Sequence, residues 1–185
     1  MNADENDTLE EMAAGQLEEI LHLKGIYLEQ LKTYDGMDHH TRDRVITTAY
    51  FALIPQEKLP PQHVGSENAS ETEWFSIESF QREIESRDTE IAFGHDRILQ
   101  DLLIRVRGKI SYTPIAFELV PEKFTWPELR EVYEIILGKN LDATNFKRKI
   151  RSIYQIRDMK SRSADRTVGR PPNRHRFEGT KDLYI

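Results

Sequence analysis

The sequence predicts an α+β fold, because segments with the apolar spacing of helices alternate with β-branched and aromatic runs. Helices are predicted at 9–21 and 95–107, and the clearest strand is predicted at 45–54. Further along, a helix, a short turn that contains Gly138 and a basic helix follow one another between 125 and 153. This succession is the pattern of a helix-turn-helix unit, so we expect such a unit after an α+β part.

The charges divide the chain into an acidic part and a basic part. Residues 1–138 contain 13 Lys and Arg against 27 Asp and Glu, whereas residues 139–176 contain 12 against 3. The formal net charge of −6 therefore hides a compact basic module. A basic module beside an acidic body indicates that the module is the part that meets a polyanion.

The composition excludes several classes of protein. The 185 residues include no cysteine, so disulfides, zinc–thiolate sites and cysteine nucleophiles are excluded. No apolar run is long enough to cross a membrane, and acidic residues follow Met1. Neither a membrane span nor a signal peptide is therefore predicted, and the cytoplasm of a prokaryote is expected.

The basic helix is predicted to begin after Asp142, which is a good N-cap. Phe146, Ile150 and either Ile153 or Tyr154 fall on one face of this helix. A helix that buries one stripe and shows a cationic one suits the major groove of DNA, although a basic face that is only solvated is an alternative. The residues predicted to contact DNA from this helix are Thr144, Asn145, Lys147, Arg148 and Arg151.

The segments around the basic helix complete the pattern of a winged helix. The preceding helix is predicted to begin with a capping box at Thr125 and to end at Gly138. Segments 155–161 and 174–178 are predicted to pair as the strands of a wing. The loop 162–173 between them is rich in Arg, which suits contacts with phosphates or a minor groove. The wing residues predicted to contact phosphate are Arg166, Arg170 and Arg174.

Local patterns also predict the elements of the first 121 residues. A capping box at Thr8 opens the first helix, and Gly25 is predicted to stop it. The run 45–54 is nearly all apolar, so this strand is expected to be buried on both faces. The other predictions are an extended segment at 26–31, loops at 35–43 and 56–70, a strand at 73–77, a helical turn at 79–84 and a connector at 107–121 that ends in a short strand.

Several separate motifs occur together in the second part, among them the connector 107–121, Phe124-Thr125, Leu137-Gly138, 145–149 and 169–171. In this combination the second part closely resembles the winged-helix domain of Nudix-related transcriptional regulators. The resemblance implies a dimeric DNA-binding protein. In that family a Nudix-like domain binds a small metabolite, such as ADP-ribose or a sugar, and alters DNA binding.

Residues 15–23 read Gly-Gln-Leu-Glu-Glu-Ile-Leu-His-Leu, at the place of the Nudix signature REUxEExGU, where U is apolar. The first part resembles the last two-thirds of a Nudix domain of the ADP-ribose pyrophosphatase-like branch. This implies a partial α/β/α sandwich. Because only seven residues precede Thr8, the cap of the first predicted helix, we expect either a start further upstream or a shortened domain.

The signature residues themselves are degenerate. Gly15 stands at the Arg of the signature, Gln16 at its first Glu and Ile20 at its third, whereas Glu19 retains the second. In the family these Glu residues hold divalent cations that activate water. One carboxylate of three predicts no metal site, no catalytic residue and no cofactor.

The sequence thus predicts two domains, a Nudix-like ligand-sensing domain at 1–107, incomplete at its amino terminus, and a winged helix-turn-helix DNA-binding domain at 108–185. The resemblance implies a transcriptional regulator that represses as a homodimer, with double-stranded DNA and a small effector as its partners and no membrane partner. One alternative is a Nudix hydrolase of nucleoside diphosphate derivatives such as ADP-ribose. Another is a DNA-binding module without a sensor.

Overall fold

The computed structural model describes residues 7–35, 45–59, 76–79, 82, 95–159 and 173–179. The chain divides into two compact units. The first comprises Met1–Ile54 with Lys58–Arg105, and the second comprises Pro55–Glu57 with Val106–Ile185. Among the described residues, each unit contains helices and one two-stranded antiparallel sheet.

Helix α1 (Leu9–Leu21) begins where the capping box predicts. Thr8 Oγ1 accepts a hydrogen bond from the Glu11 N–H at 3.2 Å, and the Glu11 carboxylate accepts one from the Thr8 N–H at 2.8 Å. The bonds that the Glu11 carboxylate accepts from the Thr8 N–H and from the Thr8 hydroxyl lower the pKa of Glu11. The helix ends at His22, which adopts the left-handed conformation with φ 55° and donates its N–H to the Glu18 carbonyl at 2.8 Å. The expectation that Gly25 stops the helix is therefore wrong.

Replacing His22 by Gly is expected to stabilise the first unit by about 0.5–1 kcal/mol, because Gly adopts positive φ without the steric cost that a Cβ carries. Urea denaturation followed by circular dichroism measures this change. His22→Ala retains the Cβ and is the matched control, for which no comparable gain is expected. A His22→Gly variant that unfolds at or below the wild-type urea midpoint would contradict the prediction.

Strands β1 (Tyr27–Asp35) and β2 (Ile46–Leu53) form an antiparallel ladder. β1 runs four residues beyond the predicted segment, because its residues up to Asp35 continue to pair with β2. A register shift between Gln30 and Lys32 marks a β-bulge in β1. The expectation that β2 is buried on both faces is wrong. Its first residue, Ile46, is 63% exposed, and antiparallel sheets commonly leave one face in solvent.

Helix α2 (His95–Lys109) attaches to β1 through polar contacts near the bulge. The hydroxyl of the buried Tyr34 donates to Asp101 Oδ2 at 2.9 Å, and Lys32 Nζ contacts the same oxygen at 3.2 Å. One turn further along α2, Arg105 Nη2 donates to the Leu31 carbonyl at 2.9 Å. Arg105 therefore satisfies a carbonyl at the bulge, where the ladder is interrupted.

Alkaline pH is expected to weaken the first unit through Tyr34. Burial, and then the hydrogen bond to Asp101, raise the pKa of Tyr34 from 10.0 to about 12. The folded state thus favours the neutral phenol, so this stabilisation is fully present below pH 10 and is lost as the pH rises through about 12. The tyrosinate absorbance of the wild type minus that of Tyr34→Phe, recorded against pH, measures the shift. A transition in this difference curve centred at the ordinary phenol pKa of 10.0 would contradict the prediction.

The remaining described part of the first unit includes residues 77–79, which are helical. Ile77 therefore does not belong to a strand, contrary to the sequence prediction. Ser79 and Arg82 are helical as predicted. Most of the segments predicted as loops at 35–43 and 56–70, and most of 73–77 and 79–84, lie outside the described residues. Within the second of these loops, Gln56–Lys58 forms a 3-10 helix.

The second unit is a winged helix. The 3-10 helix Ile115–Glu118 is followed by α3 (Trp126–Leu137), α4 (Ala143–Ile153), β3 (Ile156–Asp158) and β4 (His175–Phe177). The strand predicted at the end of the connector is absent from the described residues, because Ile115–Glu118 forms the 3-10 helix instead. β3 and β4 pair as the wing predicts, and Phe124 adds a single antiparallel bridge to His175.

The core of the second unit centres on Phe117, which is 2% exposed. Its ring stacks on Phe177 with centroids 4.3 Å apart. The centroid of Tyr154, which packs edge-on, lies at 5.4 Å, and that of the tilted Phe124 ring lies at 5.6 Å. The Tyr154 hydroxyl donates to the Thr113 carbonyl at 2.7 Å. Ile153 is 52% exposed, so Tyr154, rather than Ile153, completes the buried face of α4. The other buried apolar residues include Ile110, Ile115, Ala116, Val120, Leu129, Tyr133, Ile136, Phe146 and Ile150.

Candidate nucleic-acid interface

The turn between α3 and α4 is held by local caps at both helix ends. Gly138 ends α3 in the left-handed conformation with φ 65°, which Gly adopts at little cost. Glu134 Oε1 accepts the Leu141 N–H at 2.7 Å, and the Asp142 carboxylate accepts the Asn145 N–H at 2.8 Å. The helix-turn-helix is therefore built from residues close in sequence, as predicted.

Helix α4 buries one stripe and exposes the cationic remainder. Phe146 and Ile150 are 7% and 2% exposed, and the Phe146 ring packs edge-on against Tyr133 at 5.1 Å. This stripe turns the polar side chains away from the core. The exposed residues include all five that were predicted to contact DNA, namely Thr144, Asn145, Lys147, Arg148 and Arg151.

Two of these residues are paired with each other. Arg148 Nη2 donates to Asn145 Oδ1 at 2.8 Å, across the i, i+3 spacing that makes neighbours on a helix. Arg has five N–H donors, so this bond leaves it able to donate to a further partner. Asn and Arg are the side chains that best recognise adenine and guanine edges in a major groove, and their contact orients both.

Trp126 forms a platform for two further cations of α4. Lys147 Nζ lies 5.6 Å from the centre of the Trp126 ring, and Arg151 Cζ lies 5.3 Å from it. These distances are typical of cation–π contacts. Helical spacing places Trp126 on the apolar stripe of α3, which predicts core packing. Its ring does contact the buried Phe124 and Phe146 edge-on, but it also presents a surface to Lys147 and Arg151.

Arg151 has further partners that sequence reasoning missed. Its Nη2 donates to Asp158 Oδ1 at the end of β3, and the same oxygen lies 2.7 Å from Nδ1 of the buried His175 on β4. The hydrogen bond from Arg151, and then that from His175, lower the pKa of Asp158. No local signal reveals this cluster, because its members come from one helix and two strands.

The wing contributes other cations. Arg174 is exposed and donates to the Lys123 carbonyl at 2.6 Å, and Arg176 lies 2.6 Å from Glu122. Arg176 was not among the predicted residues, although the alternation of Arg174 and Arg176 with the inward-facing His175 on β4 would have indicated it. Arg166 and Arg170 lie outside the described residues.

Helix α1 does not provide the donors of a Nudix metal cluster. Glu19 and Gln16 are exposed, and the apolar Ile20 occupies the position of the third Glu. Glu18 is paired with Lys24 at 2.7 Å. A hard divalent cation needs several oxygen ligands, and no group of three or more acidic or histidine side chains in the described part of the chain could hold one. None of the described helices is long and apolar enough to span a membrane.

Comparison with known proteins identifies relatives of both parts. The NrtR DNA-binding winged helix domain family matches residues 116–177. The ADPR responsive transcriptional repressor NtrR of Acinetobacter baylyi is 34% identical over 124 residues, which are 67% of this chain and 46% of that protein. The chain thus spans less than half the length of this curated relative.

Two solved structures share the fold. Shewanella oneidensis NrtR complexed with a 27mer DNA has a TM-score of 0.74 and 24% identity, over 96% of this chain and 77% of that one. A MutT/nudix family protein from Enterococcus faecalis has a TM-score of 0.71 and 22% identity, over 96% and 72%. The predicted α+β fold is therefore confirmed. The chain is therefore similar to the Nudix-related transcriptional regulators: residues 116–177 match the NrtR DNA-binding winged helix domain family, and the fold is shared with a MutT/nudix family protein.

Proposed function

We propose that this protein is a DNA-binding transcriptional repressor controlled by a small metabolite. The observation that carries the proposal is the exposed face of α4, on which Asn145 and Arg148 are paired beside Lys147 and Arg151. A helix-turn-helix with such a second helix is suited to the major groove, and an adjacent basic wing is suited to phosphates. Arg166, Arg170 and Arg174 are the proposed phosphate contacts.

Residues 1–107 are the proposed effector-sensing domain, and residues 108–185 are the proposed DNA-binding domain. An ADP-ribose-like metabolite is the favoured effector, because the relative from Acinetobacter baylyi is named as an ADPR-responsive repressor. A homodimer is proposed because two copies of a winged helix can read two half-sites, as symmetric operators require. The cytoplasm, where a prokaryotic chromosome lies, is the proposed compartment.

Arg148→Ala is expected to cost about 1–3 kcal/mol of DNA binding and to relax the preference at one base pair, because it removes a base contact. Arg170→Ala is the contrasting variant, expected to weaken binding to all sequences alike and to reduce the salt slope by about one. Fluorescence anisotropy at several salt concentrations measures both. The probes are a duplex that the wild type enriches from a randomised pool and a shuffled duplex of the same composition. Indistinguishable behaviour of the two variants would contradict the assignment.

A second candidate function is a Nudix hydrolase, favoured only by the fold and by the exposed Glu19. Because Gln16 and Ile20 replace two metal-site carboxylates, no Mg²⁺-dependent hydrolysis of ADP-ribose is expected. Release of AMP by the wild type and by a Glu19→Ala control is compared at equal protein concentration. Turnover by the wild type clearly above that of the control would favour the hydrolase instead.

A further inference from the structure

We propose that Asp158 is a specificity-determining residue of the DNA-binding surface, because it holds Arg151 and keeps this cation from making sequence-independent contacts with phosphate. The inference rests on the proposed DNA-binding function and deepens it. Asp158 itself is a positioning residue that acts through Arg151.

Asp158 is held in a defined position by the wing. It is the last residue of β3, paired in register with His175 on β4. Nδ1 of the buried His175 lies 2.7 Å from Asp158 Oδ1. The backbone of His175 donates to the Phe124 carbonyl at 2.7 Å and accepts from the Phe124 N–H at 3.0 Å. The carboxylate therefore presents a fixed acceptor to Arg151 on α4.

Arg151 is confined between this acceptor and an aromatic face. Its guanidinium donates to Asp158 Oδ1, while its Cζ lies 5.3 Å from the centre of the Trp126 ring. The side chain of Arg151 remains 35% exposed, so it is held at the surface rather than buried. An arginine placed in this way can donate only to a group that approaches from its remaining open side.

Asp158 affects discrimination between the preferred site and unrelated DNA because the residues around it are basic. Between Asp142 and Asp165 the sequence has seven Lys and Arg, and Asp158 is the one acidic residue among them. Its side chain is 65% exposed, so it also repels phosphates that approach the end of α4. Phosphate contacts supply most of the affinity for unrelated DNA. Specificity is the difference between the affinity for the preferred site and the affinity for unrelated DNA. Restraining one cation therefore weakens binding to unrelated DNA more than binding to the preferred site.

The test is Asp158→Asn in the full chain, measured by fluorescence anisotropy against the enriched duplex and the shuffled duplex. Asn is nearly isosteric but loses the charge, which frees Arg151. We expect binding to the shuffled duplex to tighten roughly fivefold and its salt slope to steepen by about one. Binding to the enriched duplex should change by less than twofold, so the ratio of the two affinities falls.

Glu178→Gln is the matched control, because Glu178 is another wing carboxylate paired with an arginine, Arg157, at 3.0 Å. Because Arg157 is not among the proposed DNA contacts, this variant should alter binding to both duplexes by the same factor and leave their ratio unchanged. In an Arg151→Gln background, Asp158→Asn should no longer lower the ratio. A merely structural role for Asp158 would weaken binding to both duplexes instead.

The outcomes separate this inference from the proposed function. If the wild type binds DNA in a salt-dependent manner but Asp158→Asn leaves the affinity ratio unchanged, the inference is overturned and the proposed function stands. The inference is also overturned if Glu178→Gln lowers the affinity ratio as much as Asp158→Asn does. It is overturned as well if Asp158→Asn still lowers the ratio in the Arg151→Gln background. A wild type that enriches no duplex and binds none in a salt-dependent manner overturns both.

Discussion

Replacing Lys147, Arg148 and Arg151 together by Ala is expected to weaken DNA binding at least about a hundredfold, since each removed contact is worth roughly 1–3 kcal/mol. All three side chains lie on the exposed surface of α4, away from the buried Phe146 and Ile150. The loss should therefore occur without unfolding. Anisotropy with the enriched and shuffled duplexes at several salt concentrations measures the binding, and thermal denaturation checks the fold.

Lys149→Ala is the control for this triple variant, because Lys149 is an exposed cation of the same helix that is not among the proposed DNA contacts. It should reduce binding to both duplexes slightly and equally. Equal, salt-insensitive binding by the wild type and the triple variant would show that the basic face of α4 is only solvated.

Phe117→Ala is expected to destabilise the second unit by about 3–5 kcal/mol, because a buried ring and its contacts are lost and a cavity remains. The ring touches residues from three places in the chain, namely Phe124, Tyr154 and Phe177. Its removal should loosen the wing as well as α4, and DNA binding should be lost together with the fold. Urea denaturation followed by near-ultraviolet circular dichroism measures the change.

The control for this core substitution is Ile153→Ala, which removes an apolar side chain that is 52% exposed at the end of α4. Its cost should stay within about 1 kcal/mol, since little buried surface is lost. A Phe117→Ala variant as stable as Ile153→Ala would contradict the central position of Phe117 in the core.

Local features were predictable from the sequence because they depend on residues within one helical turn. The capping boxes at Thr8 and Thr125, the N-cap at Asp142 and the left-handed Gly138 all appear as the sequence predicts. The buried stripe of α4 follows from helical spacing in the same way. The two strands of the wing were also predicted, and β3 and β4 lie within the predicted segments 155–161 and 174–178.

Other local predictions failed where burial overrode a pattern. The end of the connector reads as a strand, yet Ile115, Ala116 and Phe117 are consecutive and all buried. A strand would place these residues alternately on two opposite faces. The 3-10 helix points them about 120° apart, and all three are buried because the rest of the second unit surrounds this turn. The apolar run of β2 likewise gives no information about how much of each face the rest of the protein covers.

By itself, the sequence determined the α+β class, the helix-turn-helix with its wing, the basic surface of α4 and the loss of the signature carboxylates at Gln16 and Ile20. Only the tertiary structure decided which partner each charge takes. The contacts of Arg151 with Asp158, and of Asp158 with His175, join a helix to two strands. A hydrogen bond depends on the distance and direction between two atoms, and spacing along the chain does not specify these once the residues belong to different elements.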